Sequence, residues 1–293
     1  MEHPNPSAYR LEQPVSQLAP VVINSPHSGR HYPKAFQTSS KLDRLSIRRS
    51  EDFLVDELVG SAVDAGLPFL SAIYPRAYLD VNREPFELDP AMFEERLPEY
   101  VNTRSIRVSS GLGTIPRIVA EGEEIYAQRL SVAEGLDRVN RIYRPYHEAL
   151  QDLIAHTHID FGLAILLDFH SMPSTRTIAE KYGRADIVLG DRFGSACAPK
   201  ILYHAKAAFE LLGYTTEINR PYAGGFITEH YGRPMHGLHA LQIEINRALY
   251  MDETKIEPSR RFDLMAKHLD QFFELFLNLD WSDLSGSLPL AAE

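Results

Sequence analysis

Residues 162–170 read Gly-Leu-Ala-Ile-Leu-Leu-Asp-Phe-His. The unbroken apolar run after the glycine lacks the alternation of a half-exposed strand. It predicts a strand covered on both faces, as in a parallel sheet between helices. Upstream, Val21-Val22-Ile23-Asn24 is a second short apolar run, stopped by Ser25-Pro26. Downstream, residues 238–247 alternate, with Leu238, Ala240, Gln242, Glu244 and Asn246 on one face and His239, Leu241, Ile243 and Ile245 on the other. Further strands are expected over 68–74 and 77–81.

Helical patterns lie between these runs. Ser50 is placed to cap a helix with Phe53, Leu54, Leu58, Val59 and Ala62, ending near Gly66. Ser131-Val-Ala-Glu134 matches a capping box and opens a helix that Pro145 should kink or break. Residues 195–212 read as a helix containing Cys197, and 258–277 as a final amphipathic helix. The alternation predicts an α/β fold: one domain over 1–293 with a core of about 20–278, a central mixed, mostly parallel sheet flanked by helices, and irregular arms at both ends.

Composition narrows the function. The 293-residue chain carries a net charge of −10, which opposes broad nucleic-acid binding. It has no signal-like start and no apolar run long enough to cross a bilayer. A single cysteine, Cys197, permits no internal disulfide. These features predict a cytoplasmic protein with a small-molecule substrate and neither nucleic acid nor membrane as partner.

In open α/β sheets, ligands bind beyond the carboxyl ends of strands. There the first strand delivers His27, the central strand delivers Asp168 and His170, and the alternating strand delivers Glu244. Either histidine alone reads as a structural hydrogen-bonder. Two at equivalent strand ends suggest ligands of zinc or another divalent metal, with Asp52 or Glu51 completing the set. Asp168 could orient a ligand, and Glu244 suits a general base. Asn82, Arg83, Asn219, Arg220, Gly225, Thr228 and Arg233 form polar or glycine-bearing clusters that could grip a substrate carboxylate. Ser28 and Ser171 stand beside histidines and admit a metal-free Ser or Cys hydrolase, but no Gly-x-Ser-x-Gly elbow is present.

Six segments in order, Asn-Ser-Pro-His27-Ser-Gly, Glu51-Asp52-Phe-Leu-Val-Asp56, Asp80-Val-Asn-Arg83, Asp168-Phe-His170-Ser171, the run from Asn219 to Arg233, and His239-Ala-Leu-Gln242-Ile-Glu244, resemble the N-formylglutamate amidohydrolase family. The resemblance implies a fold related to zinc carboxypeptidases and aspartoacylase. It also implies hydrolysis of N-formyl-L-glutamate, or another N-acyl amino acid, late in histidine breakdown. Carried over, His27 and His170 become metal ligands, Asp52 the preferred carboxylate ligand over Glu51, and Glu244 the catalytic glutamate. Carboxypeptidase-type sites place a glutamate three residues after the first histidine, where this chain has Arg30.

Overall fold

The computed structural model of the protein describes residues 6–119, 122–174 and 185–284. The sheet contains β1 (Tyr9–Glu12), β2 (Val21–Ser25), β3 (Phe69–Ala72), β4 (Ala164–Met172), β5 (Ile187–Gly190), β6 (Thr216–Ile218) and β7 (Leu238–Asn246). Their order across the sheet is β1-β3-β2-β4-β7-β5-β6. The β3-β2, β2-β4, β4-β7 and β5-β6 pairs are parallel, while β1-β3 and β7-β5 are antiparallel. The expected mixed, mostly parallel sheet is therefore present.

All nine residues of β4 are buried, because helices cover both faces. On one face Ile23, Ile165, Leu167, Phe169, Leu241 and Ile243 pack with Phe272, Phe273 and Phe276 of the final helix, Phe262–Phe276. On the other, Val22, Leu166 and Ala240 pack with Tyr146, Leu150 and Leu153 of the helix Arg144–Phe161. This second face changes character along the strands. Val22 is followed by Asn24, Leu166 by Asp168 and His170, and Ala240 by Gln242 and Glu244. Parallel register sets Asp168 beside Gln242 and His170 beside Glu244. The apolar wall thus becomes polar at the carboxyl edge, where the site lies.

Several expectations are corrected. The first arm is not wholly irregular, since β1 adds an antiparallel edge strand to β3. Residues 77–81 form turns, not a strand. The helix expected from Ser50 shrinks to Val55–Leu58 followed by a 3-10 turn, Gly60–Ala62, and its cap position is Leu54 at φ 55°. The Asp52 N–H donates to the His27 carbonyl (3.1 Å), so this chain is pinned before a helix can start. The helix expected from 195 starts at Pro199, so Cys197 precedes it; Cys197 is buried, and burial pushes its thiol up, away from nucleophilic use. Pro258 falls outside the final helix, which starts at Phe262.

Ser131 caps its helix as expected, accepting from the Glu134 N–H. Pro145 does not break the rod. A π-helical turn, Val139–Tyr143, sits just before Pro145 and joins the helices on either side into one rod.

Candidate metal centre and active site

The short loop after β2 brings His27 back beneath the carboxyl end of β4. Nδ1 of His27 lies 3.1 Å from Nδ1 of His170. Oδ2 of Asp52 stands 3.3 Å from the first and 3.0 Å from the second. All three residues are buried. The opposite ring edges are fixed by carboxylates: Nε2 of His27 contacts Asp80 Oδ1 at 2.7 Å, and Nε2 of His170 contacts Asp168 Oδ2 at 2.9 Å.

An imidazole whose Nε2–H donates to a carboxylate turns the lone pair of Nδ1 outward. Two such lone pairs and one carboxylate oxygen converge, a donor set that fits a divalent cation of the zinc type. Each carboxylate is itself supported. Asp168 accepts from Asn24 Nδ2 (2.7 Å), whose Oδ1 accepts from Tyr146 (2.6 Å). Asp80 accepts from Arg76 (2.8 Å) and from the Asn82 N–H (2.8 Å). Oδ1 of Asp52 faces Arg247 Nη2 (3.3 Å) and Ser171 Oγ (3.3 Å). Arg247 also donates to the carbonyls of Arg49 and Glu51, at 3.0 and 2.6 Å.

The helix Arg144–Phe161 braces these segments. His147 donates through Nε2 to the Val81 carbonyl (2.8 Å), and the preceding Tyr143 donates to the Arg83 carbonyl (2.7 Å). Burial pushes the His147 ring down to about 4, so it stays neutral.

Electrostatics separate the acidic groups. Burial acts to raise the Asp52 carboxyl, but the close His170 and His27 rings outweigh it and hold the group well below its usual range. Burial likewise acts against the Asp80 anion, and Arg76 and Arg83 win. Glu244 differs. Burial pushes it up to about 7, with His170 opposing the shift and Asp52 adding to it. Among the described residues Glu244 forms no ion pair; Gln242 Nε2 donates to its Oε1 at 2.9 Å. A buried carboxyl with a raised pKa beside an acceptor-rich cluster is a proton acceptor near neutrality.

Two cavities meet here, sharing Arg76, Arg83, His170, Tyr222 and Glu244. One, of about 360 Å³, is lined further by His27, Asn82, Arg107, Arg192, Gly224, Gly225 and Gln242. The other, of about 350 Å³, adds Asp52, Arg247 and an apolar side of Leu112, Pro116, Ile118 and Val119.

Not every residue singled out from sequence reaches the cavities. Glu51 faces away, gripped by Arg48 through both oxygens (3.0 and 3.1 Å) and by Tyr32 (2.6 Å). Asn82 lines the first cavity, with its Oδ1 accepting from the Ile227 N–H (2.8 Å). Gly225 packs on Asn82 so closely that a Cβ would lie 2.5 Å from Nδ2. Asn219 instead locks its own loop, donating to Asp191 (2.7 Å). Thr228 is buried under Gly224, and Arg220 and Arg233 are exposed and line neither cavity.

Asp80 as the partner of His27, Arg247 behind Asp52, and Arg76, Arg107, Arg192 and Tyr222 on the walls were not singled out for these places from sequence. Asp80, Tyr222 and Arg247 carried a signal, the first inside the Asp80–Arg83 cluster, the second inside the Asn219–Arg233 run and the third as a cation following a buried strand.

Comparison with known proteins fits this geometry. The sequence profile of the family described as N-formylglutamate amidohydrolase matches residues 19–251. An N-formylglutamate deformylase of Pseudomonas putida is 28% identical over 240 residues, covering 80% of this chain and 83% of that protein. The Pseudomonas aeruginosa enzyme of the same name is 26% identical over 237 residues, with the same coverage. The crystal structure of N-formylglutamate amidohydrolase from Ralstonia eutropha JMP134 superposes with a TM-score of 0.84 at 34% identity, over 92% of this chain and 95% of that one. With the profile spanning most of the sheet and every residue of the His27–Asp52–His170 cluster, the chain belongs to the N-formylglutamate amidohydrolase family.

Proposed function

We propose that the protein is a metal-dependent amidohydrolase that cleaves N-formyl-L-glutamate to L-glutamate and formate. The convergence of two carboxylate-anchored histidines and Asp52 next to a carboxyl poised near neutrality carries this reading. Family membership supports the substrate and, with it, a late step of histidine breakdown.

His27, Asp52 and His170 would hold zinc or a similar divalent ion, which supplies Lewis acidity and lowers the pKa of water to about 7. Asp80 and Asp168 keep both imidazoles in the tautomer that presents Nδ1. Glu244 removes a proton from the attacking water and returns it to the departing amine nitrogen. Its raised pKa suits both transfers, since it can release the proton it has taken. Arg76, Arg83, Arg107 and Arg192 give the first cavity a cationic lining matched to the two carboxylates of the leaving amino acid. Asn82 and the backbone at Gly225 set the width of that cavity.

The test measures metal content of the purified protein together with turnover of N-formyl-L-glutamate before and after chelation. About one ion per chain, activity lost on chelation and activity restored by Zn2+ are expected. Full activity in a metal-free preparation would reject the metal assignment, and a metal-loaded protein inert toward this substrate would reject the substrate.

A further inference from the structure

The two cavities differ in chemistry although they share the reacting centre. The first adds Arg107 and Arg192 to the shared Arg76 and Arg83 and suits anionic groups. The second has arginines too, Arg49 and Arg247, but Asp52 and Asp80 stand among them, and it alone adds an apolar side formed by Leu112, Pro116, Ile118 and Val119. N-formyl-L-glutamate has little to offer that side. Its acyl part is a single carbon, and its remaining hydrocarbon is two methylenes between carboxylates. A space of about 350 Å³ far exceeds what a formyl group fills. Leu112 is also notably exposed for its type, at 39%. Apolar surface beside a catalytic centre gains stability when a ligand covers it.

We propose that the cavities divide the substrate, the one lined by Arg107 and Arg192 taking the acidic amino acid and the one with the Leu112–Val119 side taking the acyl group, so that the enzyme also hydrolyses N-acyl glutamates with short alkyl chains. This rests on the amidohydrolase reading above and extends it from formyl to longer acyl groups. In the reaction water adds across the amide. The C–N bond breaks, a C–O bond forms, the amine leaves with a proton returned through Glu244, and the acyl group departs as a carboxylate. No other co-reactant is needed.

The test compares N-formyl-, N-acetyl-, N-propionyl- and N-butyryl-L-glutamate on the metal-loaded enzyme and on Leu112→Ser. Acetyl to butyryl compounds have similar intrinsic amide reactivity, so a trend among them reports contact with the alkyl chain. KM should fall roughly two- to fourfold per added methylene, the range for partial to full burial of one CH2. In Leu112→Ser that trend should flatten, raising KM for the butyryl compound several-fold more than for the formyl one.

Turnover of the formyl compound with none of the longer ones, or a KM that rises with chain length, overturns the inference and leaves the formylglutamate reading intact. Turnover of the longer compounds but not the formyl one overturns that reading and keeps the inference. A metal-loaded enzyme inert toward all four overturns both.

Discussion

Glu244 occupies a position where folding and chemistry pull against each other. Burial raises its folded-state pKa to about 7, whereas an unfolded chain titrates near 4.3. Between those values the unfolded chain gives up a proton that the folded chain keeps. Stability therefore falls as pH rises through that window, by up to about 4 kcal/mol. Glu244→Gln removes the penalty. The metal-free variant should melt several degrees above the parent near pH 8 and level with it near pH 4; equal gains at both pH values would contradict this account. The same variant should lose roughly 10²- to 10⁴-fold in kcat while retaining metal. His27 and His170 were legible in the sequence because each is a polar residue at the end of an apolar run, and Glu244 because it is a carboxylate on an otherwise buried alternating strand. Asp80 as the partner of His27 was not, because it lies 53 residues further on, in turns that carry no periodic signal. Arg107 and Arg192 were hidden for the same reason, as they come from short segments that only tertiary packing brings to one cavity.

Among the elements, the loop after β2 is the most constrained. A Cβ at Gly29 would sit 2.1 Å from the Tyr74 carbonyl oxygen, so backbone presses on backbone at this point. Nearby, the His31 N–H donates to the Ile73 carbonyl (2.9 Å). Gly29→Ala should force the His27 loop off the end of β3, costing about 1–3 kcal/mol as overpacking does. Thermal melts would show it, and an unchanged midpoint would mean that the loop yields freely. Strands β2, β3 and β4 were readable from their apolar runs and β7 from its alternation, whereas the short β5 and β6 were not expected from the sequence. The segment after Ser50 misled because Leu54, Leu58 and Ala62 keep helical spacing while the backbone is committed elsewhere. Asp52 is tied to His27, and Leu54 then turns left-handed before the short helix begins. Periodicity registers which side chains are buried, not which backbone groups are already engaged.

Across the whole molecule, the cluster ties together three separate parts of the chain: the loop after β2, the segment before Val55–Leu58, and β4. An ion held only by the folded arrangement must stabilise it. At a free concentration of 100 times Kd the gain is about 2.7 kcal/mol. Chelated protein should therefore melt lower, and titrated Zn2+ should raise the midpoint progressively. A melting point indifferent to Zn2+ would count against the triad as a metal site. Of the overall architecture, the sequence made visible the alternation of strands and helices but not the β1 edge strand, whose residues Tyr9–Glu12 are largely exposed and carry little apolar signal. No helix among the described residues is long and apolar enough to cross a membrane.

The π-helical turn at Val139–Tyr143 gives the longest rod in the molecule a tolerance for residue count. A π turn holds one residue more than the α turn it replaces, yet the flanking helices keep their faces. Buried Arg138 on one side and Tyr146 and His147 on the other can thus serve different layers of the protein from a single continuous rod. A chain one residue shorter between 139 and 143 can close the turn to α form with both faces still aligned. The same loss beyond His147 would rotate everything after it by about 100°, taking Leu150, Leu153 and Ile154 out of phase with the sheet they cover.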